Sequence, residues 1–81
     1  MYHVYILQLS DRSCYIGSTA DLVKRKTEHE MGKVFSTKSK LPCTLLFTEQ
    51  YLNRSEAQSR EYQIKKWKSR KAIERLINSK K

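Results

Sequence analysis

The sequence predicts a small α/β domain of the α+β kind, in which a three-stranded sheet is covered by helices in the order ββαβαα. Short runs rich in aromatic and β-branched residues indicate the strands, and stretches whose apolar residues recur at helical spacing indicate the helices. Residues 2–9 and 13–17 form the first two strands, and the polar turn at residues 10–13 joins them as a hairpin. Residues 43–51 form the third. A starting hairpin followed by a third strand indicates a small mixed sheet.

The first helix is predicted over residues 20–31. Ser18 or Thr19 would be its N-cap, and Asp21 would lie in its first turn, near the positive end of the helix dipole. The helix should end at Gly32, since glycine commonly follows the last helical residue.

The second helix is predicted to begin after Asn53 or Ser55, both good capping residues, and to extend to about Trp67. A third helix over residues 69–78 carries a single apolar stripe with charged residues on its other side. The basic loop at residues 33–42 connects the first helix to the third strand.

Length and charge limit the possible functions. Eighty-one residues make one domain, residues 1–78, with a basic tail at residues 79–81. Seventeen Lys and Arg against eight Asp and Glu leave a net charge of +9, which favours a polyanionic partner such as nucleic acid. A membrane partner is not expected, because no helix exposes many large apolar residues and the N-terminal residues form neither a signal peptide nor a span.

The two cysteines, Cys14 and Cys43, give neither a disulfide framework nor a zinc pattern. Each lies at a strand position where a small apolar residue would pack. We expect free thiols and a reducing, cytoplasmic setting.

Two tyrosines of the hairpin are the first candidates for a site. If Leu7 pairs with Tyr15, Tyr5 pairs with Gly17, and the two phenols lie diagonally on one face, roughly 7–8 Å apart. They could then line one small pocket. Tyrosine is also a favoured strand residue, so a purely structural hairpin is the alternative.

The first helix adds two candidates. At about 100° per residue, Leu22, Arg25 and His29 share the face that should turn towards the sheet. Arg25 could clamp a phosphate, since its planar fork matches phosphate oxygens. The alternatives are an arginine whose stem covers the edge of the core and a histidine that merely ends the helix.

Glu61 is the strongest single candidate. It lies between Ala57 and Ile64 on the inward stripe of the second helix, where an unpaired carboxylate is costly. It could pair with Arg25, or it could bind Mg²⁺, which needs only one or two carboxylates beside water and phosphate. Glu49, by contrast, is expected to be an ordinary solvated acid.

Basic residues surround these positions, and Trp67 lies among them. Basic side chains with an interleaved aromatic residue are typical of nucleic-acid surfaces. Trp67 itself is expected to pack against the core. The candidate phosphate contacts are Lys33, Lys38, Lys40, Lys65, Lys66, Lys68, Arg70 and Lys71.

Taken in order, these residues and spacings resemble the GIY-YIG nuclease superfamily, and most of all its short single-domain bacterial members. The resemblance covers nearly the whole chain and includes residues 60–67. It is carried by Val4-Tyr5, Tyr15-Ile16-Gly17, Arg25, His29, Ser55-Glu56-Ala57 and Glu61.

The resemblance implies a three-stranded antiparallel sheet flanked by helices, and hydrolysis of DNA phosphodiesters with one divalent metal, Mg²⁺ or Mn²⁺. Tyr5 and Tyr15 match the tyrosines of the two half-motifs. Arg25 matches the phosphate-binding arginine and Glu61 the metal-ligating glutamate. His29 matches a histidine found in a subset of members. Either tyrosine could serve as the general base, with His29 orienting it or relaying its proton.

The chain also departs from the family pattern. Residues 3 and 4 replace the Gly-Ile of the first half-motif, and Ser18 stands where excision-repair relatives carry a lysine. No counterpart of their asparagine after the metal-binding helix is evident. Two alternatives to an independent DNA endonuclease follow: a nucleic-acid-binding module that does not cut, and a nuclease subunit that needs a protein partner for specificity.

Overall fold

The computed structural model describes residues 1–79. One sheet of three strands forms the centre of the fold. The strands are β1 (Tyr2–Gln8), β2 (Cys14–Thr19) and β3 (Thr44–Tyr51), arranged in the order β2–β1–β3. β1 is antiparallel to both neighbours, so the sheet is antiparallel throughout and not mixed.

The predicted hairpin register is confirmed. Leu7 lies opposite Tyr15, and Tyr5 lies opposite Gly17. β2 continues to Thr19, past its predicted end, because its last residues still pair with β1. β2 is an edge strand, so within the described chain it pairs with β1 alone.

Helix α1 (Leu22–Glu30) begins later than the sequence pattern predicts. Its N-cap is Asp21, whose carboxylate accepts a hydrogen bond from the backbone N–H of Lys24 at 3.0 Å. The predicted caps, Ser18 and Thr19, are wrong because both residues belong to β2. The extra length of the strand moves the start of the helix.

Helices α2 (Arg54–Trp67) and α3 (Arg70–Ser79) agree with the prediction to within a residue or so at each end. Asn53 caps α2, and its side chain accepts a hydrogen bond of 2.9 Å from the backbone of the first turn. Ser79, predicted to open a basic tail, is the last residue of α3. Residues 80 and 81 of that predicted tail lie outside the described part of the chain.

One face of the sheet packs against α2 and α3 through a cluster of apolar side chains. Partly buried residues around it, including Trp67 and Cys14, complete this layer, which we call the apolar face. Trp67 therefore packs as predicted. The buried members of the apolar face are Val4, Ile6, Ile16, Phe47, Ala57, Ile64 and Ile73.

The opposite face carries Tyr5, Leu7 and Leu9, with Leu22 of α1 and Cys43 packed against them. We call it the polar face, because two fully buried polar side chains lie in the layer formed by α1 and the segment that follows it. These side chains are His29 and Thr37. Both cysteines are half-buried free thiols, as expected of small packing residues.

The prediction that Glu49 is a solvated acid is wrong. Its carboxylate accepts hydrogen bonds from Arg60 at 3.0 Å and from the Tyr51 hydroxyl at 2.9 Å, which ties β3 to α2. The Arg60 guanidinium in turn lies 5.5 Å from the centre of the Trp67 ring. Within residues 1–79, no helix is long and apolar enough to span a bilayer.

Candidate active site

The two tyrosines of the hairpin lie side by side on the polar face. Their ring centres are 6.3 Å apart, with an angle of 33° between the planes. Tyr5 is 2% exposed, whereas Tyr15 is half-buried. The diagonal pairing therefore brings the phenols together as the register predicts.

Gly17 makes room for the Tyr5 phenol, a role that the sequence reasoning missed. A Cβ atom at Gly17 would lie 2.5 Å from the Tyr5 Oη and 2.7 Å from its Cζ, far inside van der Waals contact. The phenol thus crosses directly over the backbone of β2. The predicted pairing of Tyr5 with Gly17 was the signal that could have revealed it, because a residue without a side chain stood opposite a large one.

His29 contacts both tyrosine rings edge-on, with ring centres 5.8 Å from Tyr5 and 5.0 Å from Tyr15. Its side chain is completely buried. Nε2 lies 3.0 Å from the Tyr5 Oη, and Nδ1 lies 2.8 Å from the Thr37 Oγ1. The histidine is therefore a bridge between the first strand and the loop after α1.

The hydrogen-bond partners of His29 and Thr37 indicate where the protons lie in the hydrogen-bonded series Tyr5–His29–Thr37. The Thr37 hydroxyl donates to the Val34 carbonyl over 3.5 Å, which leaves its oxygen free to accept from His29 Nδ1–H. Nε2 of a neutral His29 is then an acceptor, and the Tyr5 hydroxyl donates to it. Thr37 lies at the start of a short 3-10 helix, Lys38–Lys40, and no periodic pattern in the sequence identified it.

The pKa shifts agree with this arrangement. Burial, aided by nearby Arg25, lowers the pKa of His29 below its ordinary 6.5, so the imidazole is neutral at pH 7. Burial also raises the pKa of Tyr5 above its ordinary 10, although Arg25 acts in the opposite direction. The resting pair is a protonated phenol and a neutral imidazole.

Arg25 lies at the open side of this cluster. Its hydrogen-bonding contact with Tyr5 is the main reason that its pKa is raised. Its ion-pair partner is Glu28, one turn along α1, at 3.4 Å, with about a third of each side chain exposed. The alternative pairing of Arg25 with Glu61 is not formed. Such a partly exposed i,i+3 pair is weak, so the guanidinium can turn to an incoming phosphate.

Glu61 approaches from the other side of the sheet. Ser18 lies opposite Val4 of the apolar face, and its hydroxyl donates a hydrogen bond of 2.6 Å to Glu61 Oε1. Lys65 Nζ lies 2.5 Å from Glu61 Oε2. The charge of Glu61 also reaches the Tyr5 phenol and contributes to raising its pKa. The edge strand β2 is thus where the two halves of the candidate site meet.

The Glu61 carboxylate could serve as one ligand of a divalent metal. Residues 1–79 contain no group of three or more His, Cys, Asp or Glu side chains that could enclose an ion. Mg²⁺ retains much of its hydration and needs only one or two carboxylates, so a site with Glu61 as its carboxylate ligand would suit it. The Glu61 side chain is 21% exposed, so water and substrate can reach it.

Two open clefts flank the turn between β2 and α1, and both include Ser18, Thr19 and Ala20. One, of about 330 Å³, also contains Arg25. The other, of about 230 Å³, contains Arg54. Each cleft thus carries a guanidinium beside the residue that binds Glu61.

The predicted phosphate contacts are all exposed, but they are not equally free. Lys40 pairs with Asp11 at 3.3 Å, and Arg70 pairs with Glu74 at 3.3 Å. Lys65 is held by Glu61. The remaining members, Lys33, Lys38, Lys66, Lys68 and Lys71, have no ion-pair partner within residues 1–79. Their contact with nucleic acid stays a prediction.

Two exposed aromatic residues were missed by the sequence reasoning. Phe35 is 83% exposed, with Lys38 Nζ 5.2 Å from its ring centre. Tyr62 is 62% exposed, with Lys66 Nζ 5.0 Å from its ring centre. An aromatic residue with a lysine three or four positions later was the available signal. Such pairs offer stacking surface next to positive charge.

The sequence and the fold are similar to those of known proteins. Residues 1–75 match the family described as the GIY-YIG catalytic domain, and the chain belongs to this nuclease family. It is 42% identical over 66 residues to a UPF0213 protein of Halobacterium salinarum, covering 80% of this chain and 86% of that one. A UPF0213 protein of Clostridium perfringens is 42% identical over 81 residues, covering 99% of this chain and 86% of that protein.

A solved structure agrees with the fold. The solution NMR structure of a UPF0213 protein from Bacillus halodurans superposes with a TM-score of 0.63 at 35% sequence identity. The match covers 99% of this chain and 86% of that one. The predicted family, the antiparallel sheet and the element order are therefore confirmed.

Proposed function

We propose that the protein is a metal-dependent DNA endonuclease that hydrolyses phosphodiester bonds, with structured or damaged DNA as a candidate substrate. The observation that supports this most is the hydrogen-bonded chain Tyr5–His29–Thr37, whose phenol end lies beside a guanidinium and within electrostatic reach of a carboxylate. A nucleic-acid-binding surface alone does not need a buried phenol coupled to a buried imidazole.

Substrate binding falls to the cationic residues around the site. Arg25 would bind the non-bridging oxygens of the scissile phosphate, for which its planar fork is suited. The net charge of +9 would draw in the DNA backbone and add salt-dependent affinity. A divalent cation held by Glu61 would supply Lewis-acid neutralisation of the phosphate and the leaving oxygen.

We assign the general base to Tyr5. The water loses its proton to the Tyr5 oxygen while the Tyr5 hydroxyl proton passes to His29 Nε2, so no phenolate has to persist in a buried position. The water oxygen bonds to phosphorus as the phosphorus–oxygen bond to the leaving group breaks, and the departing oxygen takes a proton from solvent. Tyr15 has no hydrogen-bond partner for its hydroxyl within residues 1–79, so it lacks such a relay.

Thr37 would keep this relay in its working direction. By accepting from Nδ1, it leaves Nε2 as the nitrogen that can receive a proton from Tyr5. The pKa of His29 is lowered by burial, so the imidazole starts neutral and is able to accept. After cleavage, His29 Nε2 gives this proton back to the Tyr5 oxygen, and the proton that Tyr5 took from the water passes to solvent in the open site.

A cleavage panel tests the proposal. Purified protein is incubated with branched, nicked, single-stranded and duplex DNA in Mg²⁺ or Mn²⁺, with a chelator as the blank. We expect metal-dependent cutting that Glu61→Gln reduces at least about 100-fold. Glu74→Gln is the matched control, since Glu74 is an exposed carboxylate on α3 that pairs with Arg70.

Two results would contradict the proposal. If wild type and Glu61→Gln cut DNA at the same rate, the proposal that the Glu61 carboxylate binds the catalytic metal would be wrong. Salt-dependent DNA binding with no cleavage of any substrate would favour the binding module. Cleavage that appears only after a protein partner is added would identify the chain as a subunit that depends on that partner.

A further inference from the structure

Both oxygens of the Glu61 carboxylate have a partner in the protein. Ser18 donates its hydroxyl to Oε1 at 2.6 Å, and the Lys65 ammonium contacts Oε2 at 2.5 Å. These two partners differ in chemistry. A hydroxyl can remain beside a metal-bound carboxylate, whereas an ammonium and a divalent cation repel each other and require the same lone pairs.

The two partners also differ in freedom of movement. Ser18 is half-buried within β2, so its hydroxyl position is set by the strand. Lys65 lies one turn after Glu61 on α2, and its side chain is 49% exposed on a flexible four-carbon stem. Lys65 can leave the carboxylate by rotating its own side chain, with no change in the backbone.

We propose that Lys65 is an internal counter-cation that a divalent metal displaces from Glu61, and that the displaced ammonium then binds a DNA phosphate. Metal binding frees Lys65 to contact DNA, and DNA binding removes Lys65 from the carboxylate that the metal needs. Metal and DNA would therefore bind cooperatively. The inference rests on the proposed metal role of Glu61 and extends it to a second residue.

Within residues 1–79, Lys65 is the cation that pairs with Glu61. Arg25 binds Glu28 and lies against Tyr5, and Arg60 binds Glu49. Lys66, the next residue of α2, lies over the Tyr62 ring. Lys66 therefore offers a matched control. Lys66→Met removes one positive charge from the same turn of α2 but leaves the ion pair of Lys65 with Glu61 in place.

The first experiment measures Mn²⁺ binding by calorimetry or electron paramagnetic resonance, with no DNA present. We expect Lys65→Met to bind Mn²⁺ about two- to five-fold more tightly than wild type, the range that loss of one exposed ion pair would produce. Lys66→Met should bind as wild type does, and Glu61→Gln should lose the site. Circular dichroism of each variant verifies that it is folded.

The second experiment measures DNA binding by fluorescence anisotropy in the Tyr5→Phe background, which should slow cutting by about 100-fold or more. Adding Mn²⁺ should tighten DNA binding when Lys65 is present. The tightening should be smaller, by a factor of about two or more, in the Lys65→Met variant of that background.

The outcomes separate this inference from the function it builds on. If Glu61→Gln loses Mn²⁺ but Lys65→Met binds Mn²⁺ and DNA as wild type does, Lys65 is only a structural partner and the inference is overturned. If Lys66→Met tightens Mn²⁺ binding equally, general charge explains the effect and the inference is again overturned. If Glu61→Gln keeps full Mn²⁺ affinity, the metal site itself is wrong.

Discussion

The two faces of the sheet are built from the same three strands, but they are stabilised in different ways. The apolar face, under α2 and α3, is filled by aliphatic and aromatic side chains whose main requirement is volume. The polar face, under α1 and its following loop, buries a phenol, an imidazole and a hydroxyl that must meet at hydrogen-bond distance. Burying such groups is unfavourable unless each is paired, so the polar face depends on geometry where the apolar face depends on packing.

The candidate active site takes residues from both faces. Glu61 belongs to a helix of the apolar face, and it reaches the edge strand through Ser18. Tyr5 and His29 belong to the polar face. A rigid apolar layer would thus hold the carboxylate in place while the polar layer performs proton transfer. The variants below separate these two contributions.

The largest effect on stability is expected from the apolar face. Ile64→Ala removes a completely buried side chain and should lower the free energy of unfolding by about 2–5 kcal/mol. Leu52→Ala, at a residue that is 79% exposed, is the control and should change it little. Urea denaturation measures both. An unchanged midpoint for Ile64→Ala would contradict the packing of α2 described above.

Gly17→Ala should damage the polar face in a different way. Its Cβ would displace the Tyr5 phenol and break the contact with His29, at a cost of about 1–3 kcal/mol in stability. Cleavage should fall by about 100-fold or more if Tyr5 is the base. Gly32→Ala is the matched control: its φ of 74° makes alanine strained, but the nearest atoms are 3.8 Å away. It should lose stability and retain the cleavage rate per folded molecule.

Thr37→Val removes the hydroxyl that accepts from His29 Nδ1. An unpaired buried N–H costs about 1–3 kcal/mol, so the free energy of unfolding should fall by that amount. The ¹⁵N shifts of His29 should also change from the Nδ1–H tautomer towards a mixture. Thr27→Val is the comparison variant, since the Thr27 hydroxyl is exposed and bonds only within α1. A tautomer unaffected by Thr37→Val would contradict the assigned proton positions.

The smallest effect is a dependence of stability on pH. The folded-state pKa of His29 lies below its ordinary 6.5, so the unfolded chain binds more protons between these two values. The contribution of neutral His29 to stability is complete above about pH 6.5 and decreases as the pH falls through the folded pKa. Each unit of lowering corresponds to about 1.4 kcal/mol. His29→Asn should flatten this slope in denaturation curves between pH 7.5 and 5, and an unchanged slope would contradict a buried neutral imidazole.

Much of the fold was predictable because it follows from local periodicity. The register of the hairpin followed from side-chain alternation and a short turn, and it placed Tyr5 opposite Gly17. The inward position of Glu61 followed from its spacing between Ala57 and Ile64, both of which are fully buried.

The remainder depends on contacts that the sequence does not encode locally. Thr37, which caps the 3-10 helix Lys38–Lys40, meets His29 of α1 eight residues earlier in the chain. Glu49 pairs with Arg60, eleven residues later on a different element, and the acid that was expected to be solvated is half-buried. The cap of α1 moved to Asp21 because β2 paired for longer than its apolar run indicated.

The most direct test compares the single-turnover DNA cleavage rates of Tyr5→Phe and Tyr15→Phe in Mg²⁺, with Tyr62→Phe as the exposed control. If Tyr5 passes its proton to His29, Tyr5→Phe should lower the rate by about 100-fold or more, and Tyr15→Phe should lower it less. Tyr62→Phe should cut at the wild-type rate. A Tyr5→Phe protein that cuts DNA as fast as wild type would contradict the assignment of the general base and the role given to the polar face.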